Sequence, residues 1–400
     1  MKRSGSADLP LHYGHVPPWL AERMSKLGFA IVETIILEYG NAEVLRRLSD
    51  PFWFQSLGAV MGMDWHSSGI TTSVMGALKK AINPHSRELG IYICGGKGKA
   101  SRNTPLELLR VGDHTGIDAN YLIRCSKLSA KVDNTAIQDG FQLYMHSFIV
   151  NNNAEWAVVQ QGMSAGSSTA RRYHWHSPTI SSFVEEPHAY IYGQNQGDIL
   201  NLVARQSATA RTVLMEITQE APPSILKEAQ KLVMPAHHDV KVKDIDLKRL
   251  GTILWLAQEK RPSDFEELLL LEGLGPRTLQ SLALVSEIIY GAPSRFRDPA
   301  RFSFAHGGKD GHPFPVPIKV YDESITVLQD AVERSKLGFT EKAHAIKRLS
   351  KIAAEVEKDF LPNTNFEGVI QKERADSCKY GGRTIFGDVS PPVNRQLKLF

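Results

Sequence analysis

A chain of 400 residues with 42% hydrophobic and 22% charged side chains is long enough for two or three cored domains, and its balance excludes a disordered polymer, a fibrous repeat and a small disulfide-stapled fold. Three cysteines, Cys94, Cys125 and Cys378, are too few and too scattered for a disulfide framework or a four-thiolate zinc site. A formal net charge of +4 permits a polyanionic partner without demanding one; no apolar run is long enough to span a bilayer and the opening MKRSGSADLP has no secretory core, so a cytoplasmic protein without membrane contact is expected.

Residues 1–60 read as helical and residues 70–215 as mixed α/β. Gly90–Cys94 and Ala119–Leu128 read as strands, because β-branched and aromatic residues gather between turn signals. Phe141–Val150 and Trp156–Gln161 read as a hairpin joined by NNNAE at 151–155. Symmetry about Asn153 sets His146 opposite Gln160, and strict alternation puts Gln142, Tyr144 and His146 on one face. The breakers APPS (221–224) and MPAHHDV (234–240) place a domain boundary between about 215 and 240. A helix is predicted from about Thr340 to Phe360, with Ile346, Leu349, Ala353, Val356 and Phe360 as its packed stripe and Lys342, Lys347, Arg348 and Lys351 on the other face. After about residue 370 the chain turns polar and rich in glycine and proline, as a flexible tail would.

The strongest local signal is PSDFEELLLLEGLGPRTLQSLALVSEIIY at 262–290. Ser263 and Glu266 have capping-box spacing, so a helix starts at Asp264 with Phe265, Leu268 and Leu271 inward. It stops at Gly273-Leu274-Gly275, and Pro276 suits the first turn of a second helix, whose apolar face holds Leu279, Leu282, Ala283 and Ile289. The stretch resembles a helix-hairpin-helix, a motif that binds DNA without reading sequence. Its glycines admit a backbone phosphate, the amides opening the second helix meet it, and Arg277 and Thr278 add side-chain contacts. A plain αα-hairpin with a tight turn is the alternative.

The chain ends Gln396-Leu397-Lys398-Leu399-Phe400, which resembles the QLxLF motif that docks on the bacterial sliding clamp. In that motif Gln396, Leu397, Leu399 and Phe400 would be the anchors, which explains apolar residues in a solvated tail.

Several stretches carry a wider resemblance: GMDWHSSGITTSVMGALKKAI (62–82), GGKGKASRNTP (95–105), DGFQLYMHSFIV (139–150), WAVVQQGM (156–163), ARRYHWH (170–176), MPAHHDV, the hairpin, and FAHGGKDGHPFPVP (304–317). On these the chain resembles the family catalogued as domain of unknown function 763, over most of residues 10–370. That family implies no mechanism, so the chemistry is read from the residues.

A strand bearing His146, a short loop, and a strand ending in Gln-Gly are similar to part of a phospholipase-D-like motif, in which a histidine attacks phosphorus and a lysine two residues later holds phosphate. Phe148 stands at that lysine position, and Lys97 or Lys99 of GGKGK is the substitute. GGKGK (95–99) lacks P-loop spacing but offers amides and two ammonium groups. HSSGITTS (66–73) sets hydroxyls at a helix start, suited to N-capping or to a phosphate. Asp64 with His66, Asp113 with His114, and His174 with His176 have spacings that suit a divalent metal, Mg or Mn, and no organic cofactor is called for. Arg171 and Arg172 would stabilise charge on phosphorus, and AHGGKDGHPFPVP reads as a functional loop carrying His306, Lys309, Asp310 and His312. Cys94 and Cys125 read as buried thiols.

The expected architecture is an α/β domain at 1–220, its mixed sheet phospholipase-D-like as the resemblance implies, then an all-α helix-hairpin-helix domain at 221–330, a helical extension at 331–370 and a tail at 371–400. The expected function is a bacterial DNA nuclease for repair or replication, tethered to the sliding clamp. His146 is the nucleophile or general base, Gln160 opposite it belongs to the catalytic set, and Lys97, Lys99, Arg171 and Arg172 hold phosphate. Asp64, His66, His174 and His176 are the metal or acid–base groups. The alternatives are a non-enzymatic DNA- and clamp-binding adaptor, and a phosphodiesterase for a small nucleotide.

Overall fold

Proline and glycine punctuate the N-terminal helices. Helix α1 (Pro18–Tyr39) opens on a proline and ends at Gly40, whose φ of 85° breaks the helix and lets α2 (Asn41–Leu48) start directly after it. Asp50 caps α3 (Pro51–Val60) by accepting from the amides of Phe52 (2.8 Å) and Trp53 (3.0 Å). Every residue of α3 is buried, which fits a sequence that is apolar except at Gln55 and Ser56. The computed structural model describes residues 9–10, 16–63, 68–164, 169–229, 247–300, 318–358, 383–384 and 387–388.

The remaining elements follow in order. A two-residue strand β1 (Leu9–Pro10) precedes α1. After α3 come α4 (Gly69–Ile82), the single turn α5 (Ser86–Leu89), β2 (Ile91–Lys97), α6 (Lys99–Arg102), α7 (Thr104–Thr115) and α8 (Ala119–Lys131). Then come β3 (Ile137–Gln138), the long hairpin β4 (Phe141–Asn151) and β5 (Trp156–Ser164), β6 (Thr169–His176), β7 (Tyr190–Tyr192) and β8 (Leu200–Asn201). A helical run follows: α9 (Ala208–Gln219), α10 (Pro222–Ala229), α11 (Leu247–Lys260), α12 (Phe265–Leu270) and α13 (Pro276–Tyr290). Strand β9 (Arg295–Phe296), α14 (Ile318–Arg334) and α15 (Phe339–Lys358) follow it.

The fold is mixed α/β around an antiparallel six-stranded sheet ordered β1-β6-β5-β4-β2, with β7 also on β6. A smaller antiparallel sheet orders β3-β8-β9. His146 pairs with Gln160 across the hairpin, the register that symmetry about Asn153 predicts. The loop is shaped by Asn151, whose side-chain oxygen accepts from the amides of Asn153 and Glu155, both at 3.0 Å.

Two sequence readings change. Ala119–Leu128 is helix, not strand. Asp118 caps it through the amides of Asn120 and Tyr121, and Leu122, Cys125, Leu128 and Val132 recur at helical spacing to form its buried stripe. A bulge between Leu143 and Met145 breaks the alternation of β4 and turns Tyr144 to the face opposite His146, while Gln142 is exposed. Gln142, Tyr144 and His146 therefore do not form one row.

The large sheet separates two cores. One face carries Ile91, Ile93, Met145, Ile149, Ala157 and Val159 and packs on α1–α4. Helices α14 and α15 return to close this core through Leu328, Val332, Ala345 and Leu349. Arg348 donates to the Val60 carbonyl at 2.9 Å, and Arg334 pairs with Glu38 at 2.7 Å. Residues 346 and 349 lie on the inward side of α15, as the predicted stripe requires. The other face carries Phe148, Val150, Trp156, Val158, Tyr173 and Trp175 and packs on α7 and α8 and on α9–α13 in one continuous core. Truncating either fully buried tryptophan to alanine would cost about 3–5 kcal/mol.

Candidate functional site

Three buried polar networks interrupt these cores. The first surrounds His146 on the face covered by α8. Its Nδ1 lies 2.7 Å from the Gln160 Oε1, an acceptor, so Nδ1 carries the proton. Nε2 is then a lone pair, and it sits 2.9 Å from the Ser126 hydroxyl, which donates to it. The Gln160 amide donates to the Ser129 carbonyl (3.0 Å) and to Asp133, and Asp133 also accepts from the Trp175 indole (3.0 Å) and contacts His188. Burial pulls the His146 pKa below its ordinary value, partly opposed by the Gln160 bond and the Asp133 charge, so a neutral imidazole is available at neutral pH.

This network has an opening. A pocket of about 210 Å³ is lined by Ser126 and His146, by Ser101, Arg102 and Lys127, and by the apolar Leu143, among others. Arg102 and Lys127 are exposed at its rim and no carboxylate among the described residues lines it, so it favours an anion.

The GGKGK stretch builds one wall indirectly. At Gly95, φ is +84° and a Cβ would stand 2.2 Å from the His146 carbonyl oxygen, so only glycine lets β2 lie this close to β4. The Gly95 amide donates to Glu107 (2.6 Å) and its carbonyl accepts from Lys79 (2.7 Å), so that loop's polar groups are spent on anchoring. Lys97 points at the Tyr144 ring, 6.0 Å from its centroid, on the face away from His146. Lys99 is exposed and opens α6, whose other end delivers Ser101 and Arg102 to the pocket. Neither Lys97 nor Lys99 is among the pocket's lining residues.

The second network fixes Arg171, which is fully buried. It donates to Asp139 (2.8 Å), to Asp298 (3.0 Å) and to the Gln194 carbonyl (2.6 Å), and Tyr173 donates to Asp139 at 2.6 Å. Burial pulls the guanidinium down, but Asp298 and Asp139 outweigh it and push its pKa up. Its charge is spent tying β6 to the segment after β9.

The third network lies on the opposite face. Arg172 donates to Gln55 (2.9 Å), to Thr71 (3.3 Å) and, through Nε, to the His174 Nε2 (2.9 Å), and packs on the Phe54 and Tyr192 rings. Burial without a carboxylate among its described contacts lowers its pKa to about 10. His174 Nδ1 donates to the Leu48 carbonyl at 3.0 Å, so both ring nitrogens are occupied. Burial, then the Arg172 charge, hold its pKa well below the ordinary range. Gln161 completes the cluster, accepting from Thr71 and donating to the Ser68 carbonyl (3.1 Å) and to Tyr144.

The structure thus brings His146 and Gln160 together and separates them from Arg171, Arg172, His174 and His176. Arg171 and Arg172 do not fit the phosphate-holding role the sequence suggested, because no part of either guanidinium is exposed. His174 does not fit a metal ligand with both nitrogens engaged. His176 is half-buried at the end of β6, and His114, beside Asp113 on α7, contacts Arg87. Among the described residues no group of three or more His, Cys, Asp or Glu could hold a metal ion. Asp64, His66, MPAHHDV, the 304–317 loop and the 396–400 motif lie outside the described residues. Burial pushes the Cys94 thiol up to about 12 and Cys125 to about 11, as inert core thiols.

Sequence reasoning missed Ser126, Asp133, Arg102 and Lys127. Ser126 and Ser129 on α8 and Asp133 in the helical turn just after it (Val132–Ala136) form a polar stripe at spacings of three and four, legible only once that segment is read as a helix.

The helical hairpin packs on α8, the helix that supplies Ser126 and Lys127 to this pocket. Gly273 turns at φ +81° and Gly275 precedes Pro276 at the start of α13, where no side chain caps the first amides. Phe265, Leu268, Leu271, Leu279, Leu282 and Ala283 are buried as predicted. The cap is shifted by one residue: Asp264 accepts from the Glu267 amide and Glu267 accepts from the Ser263 amide, both at 2.8 Å. Glu266 is left to pair with Arg124 of α8 at 3.0 Å. The turn is clamped by Lys131 of α8 on the Leu274 carbonyl (2.7 Å) and by Gln138 on the Pro276 carbonyl (2.8 Å). Gly273, Pro276 and Arg277 face solvent and Thr278 is buried.

Fold and site together define an antiparallel sheet flanked by helices on both faces, with a Ser–His–Gln chain opening on a basic pocket. The chain belongs to the family described as "Protein of unknown function (DUF763)", whose model matches residues 5–316. No curated protein and no solved structure matches it. No helix among the described residues is long and apolar enough to cross a membrane.

Proposed function

We propose that this protein binds the backbone of DNA through its helical hairpin and hydrolyses a phosphodiester at the His146 pocket. The observation that carries the reading is the dual use of α8. Its Lys131 holds the hairpin turn, while Ser126 and Lys127, about one helical turn away, line the pocket. A strand gripped at Gly273–Thr278 would lie against the helix whose Lys127 lines the pocket. The amides opening α13 suit a phosphate, and Arg277 adds charge beside them. Neutral His146, oriented by Gln160, is the general base. Arg102 and Lys127 take the phosphate-holding role.

The test is incubation of the purified protein with labelled single-stranded, duplex and flap DNA, with Mg²⁺ or Mn²⁺ and with EDTA. Cleavage lost in His146→Gln supports the reading, and the EDTA arm reads whether a divalent ion takes part. Salt-sensitive binding with no cleavage of any substrate by folded protein overturns the hydrolase and leaves the adaptor. The terminal Gln396-Leu397-Lys398-Leu399-Phe400 supports docking on a sliding clamp. A bacterial clamp that retains the full chain but not a Leu399→Ala, Phe400→Ala variant would bear this out, and equal retention would overturn it.

A further inference from the structure

We infer that Ser126 is the nucleophile of this site and that the reaction passes through a phosphoseryl intermediate. The inference rests on the hydrolase reading above and deepens it. Nδ1 of His146 faces an acceptor and Nε2 faces the Ser126 hydroxyl, so the imidazole has no lone pair left to attack phosphorus itself. What it has is a hydroxyl 2.9 Å from its basic nitrogen, at the wall of an anion-favouring pocket. The base is oriented by a third group, Gln160, whose amide is fixed by the Ser129 carbonyl and Asp133. Asp133 is fixed in turn by Trp175 and His188, and its charge lies behind the amide on the side where an imidazolium would form. A serine merely filling space beside a buried histidine needs neither a pocket nor a relay ending on a carboxylate.

The steps balance with water as the only co-reactant. The Ser126 Oγ bonds to phosphorus as its proton passes to His146 Nε2, and the bond from phosphorus to the bridging strand oxygen breaks, that oxygen taking the proton from Nε2 as it leaves as an alcohol. Water then adds to the phosphoserine, giving a proton to Nε2. The bond from Oγ to phosphorus breaks, and Ser126 recovers the proton. One phosphodiester and one water yield a phosphate monoester and an alcohol. Arg102 and Lys127 meet the charge that builds on the non-bridging oxygens.

Two readouts test this on the full chain. A fluorophosphonate probe needs no DNA: its phosphorus bonds to an activated serine and fluoride leaves. Peptide mapping is expected to find the adduct at Ser126, with the rate reduced about 100-fold or more in His146→Gln. Separately, DNA labelled at internal phosphates and quenched in denaturant during turnover should leave label on wild-type protein and none on Ser126→Ala. Adduct and trapped label together uphold the nucleophile. An adduct with no cleavage of any DNA upholds Ser126 and overturns the DNA substrate. Cleavage persisting in Ser126→Ala, with no adduct on wild type, overturns the nucleophile and leaves His146 activating water directly. Neither adduct nor cleavage from folded wild type overturns both. The adduct is read on unmutated protein, so a poorly folding variant does not decide the outcome.

Discussion

The two faces of the central sheet each bury a histidine among polar side chains, and they use it in opposite ways. His146 has one nitrogen committed to Gln160 and the other to a hydroxyl at a pocket wall. His174 has one nitrogen on a backbone carbonyl and the other on Arg172, inside a cluster with no exposed member among Arg172, Gln55 and Thr71. Both are held neutral by burial. Polarity inside a core is therefore not by itself a sign of chemistry. What separates the two is whether the network ends at a group that can react and that something outside can reach.

The largest expected effect comes from exchanging the two histidines' fates. His146→Gln should lower the rate of DNA cleavage by about 10²–10⁴-fold, the loss of a positioned base. His174→Phe should leave kcat unchanged while costing about 1–3 kcal/mol in denaturant unfolding, because Arg172 Nε and the Leu48 carbonyl lose their partner. If His174→Phe instead abolished cleavage in folded protein, the contrast between the faces would be wrong.

Arg171→Met comes next. It leaves Asp139 and Asp298 buried without their cation and should destabilise by about 3–5 kcal/mol, read from the urea midpoint. Its effect should fall on stability and not on KM, as befits a strut. Arg102→Ala with Lys127→Ala should do the reverse, raising KM for DNA with little change in melting temperature, because both are exposed. Arg277→Ala should weaken binding similarly across sequences and reduce the slope of log affinity against log salt by about 1.

The smallest effect is graded by pH. The folded pKa values of His146 and His174 lie below the ordinary 6.5, so the unfolded chain binds protons there that the folded chain refuses. This stability is fully present above 6.5 and is lost as pH falls from 6.5 towards the folded values. Urea midpoints at about pH 7.5 and 5.5 should show the fall, and the acid limb of cleavage should lie below the midpoint of a free imidazole.

Much of this was legible in the chain. The β4–β5 hairpin announces itself by its residues, and pairing about Asn153 sets His146 against Gln160. The glycine elbow at 273–275 and Pro276 mark the two helices of the hairpin. The α8 segment misled because its β-branched and aromatic residues gather between turn signals like a strand, while the competing period of Leu122, Cys125 and Leu128 with a capping Asp118 carried the answer. The bulge at Tyr144 leaves no mark in sequence, and it alone moves a tyrosine from one core to the other. The partners of Arg171 could not be read either. Asp139 lies 32 residues away and Asp298 lies 127 away, and local spacing carries no trace of such distant pairings. A doublet of arginines in a strand looks reactive until the fold supplies their carboxylates and amides.

The chain reaches α13 on one side of the sheet and then returns to the first side with α14 and α15. Two polypeptides divided between α10 and α11 would each be left with unfinished halves of both cores, since Leu250 to Val285 belong to one and Val327 to Leu349 to the other. Such fragments are suited to complementation: mixed together they should reassemble by zipping up those exposed seams, and a split at this point makes the protein a natural scaffold for a reconstitution reporter.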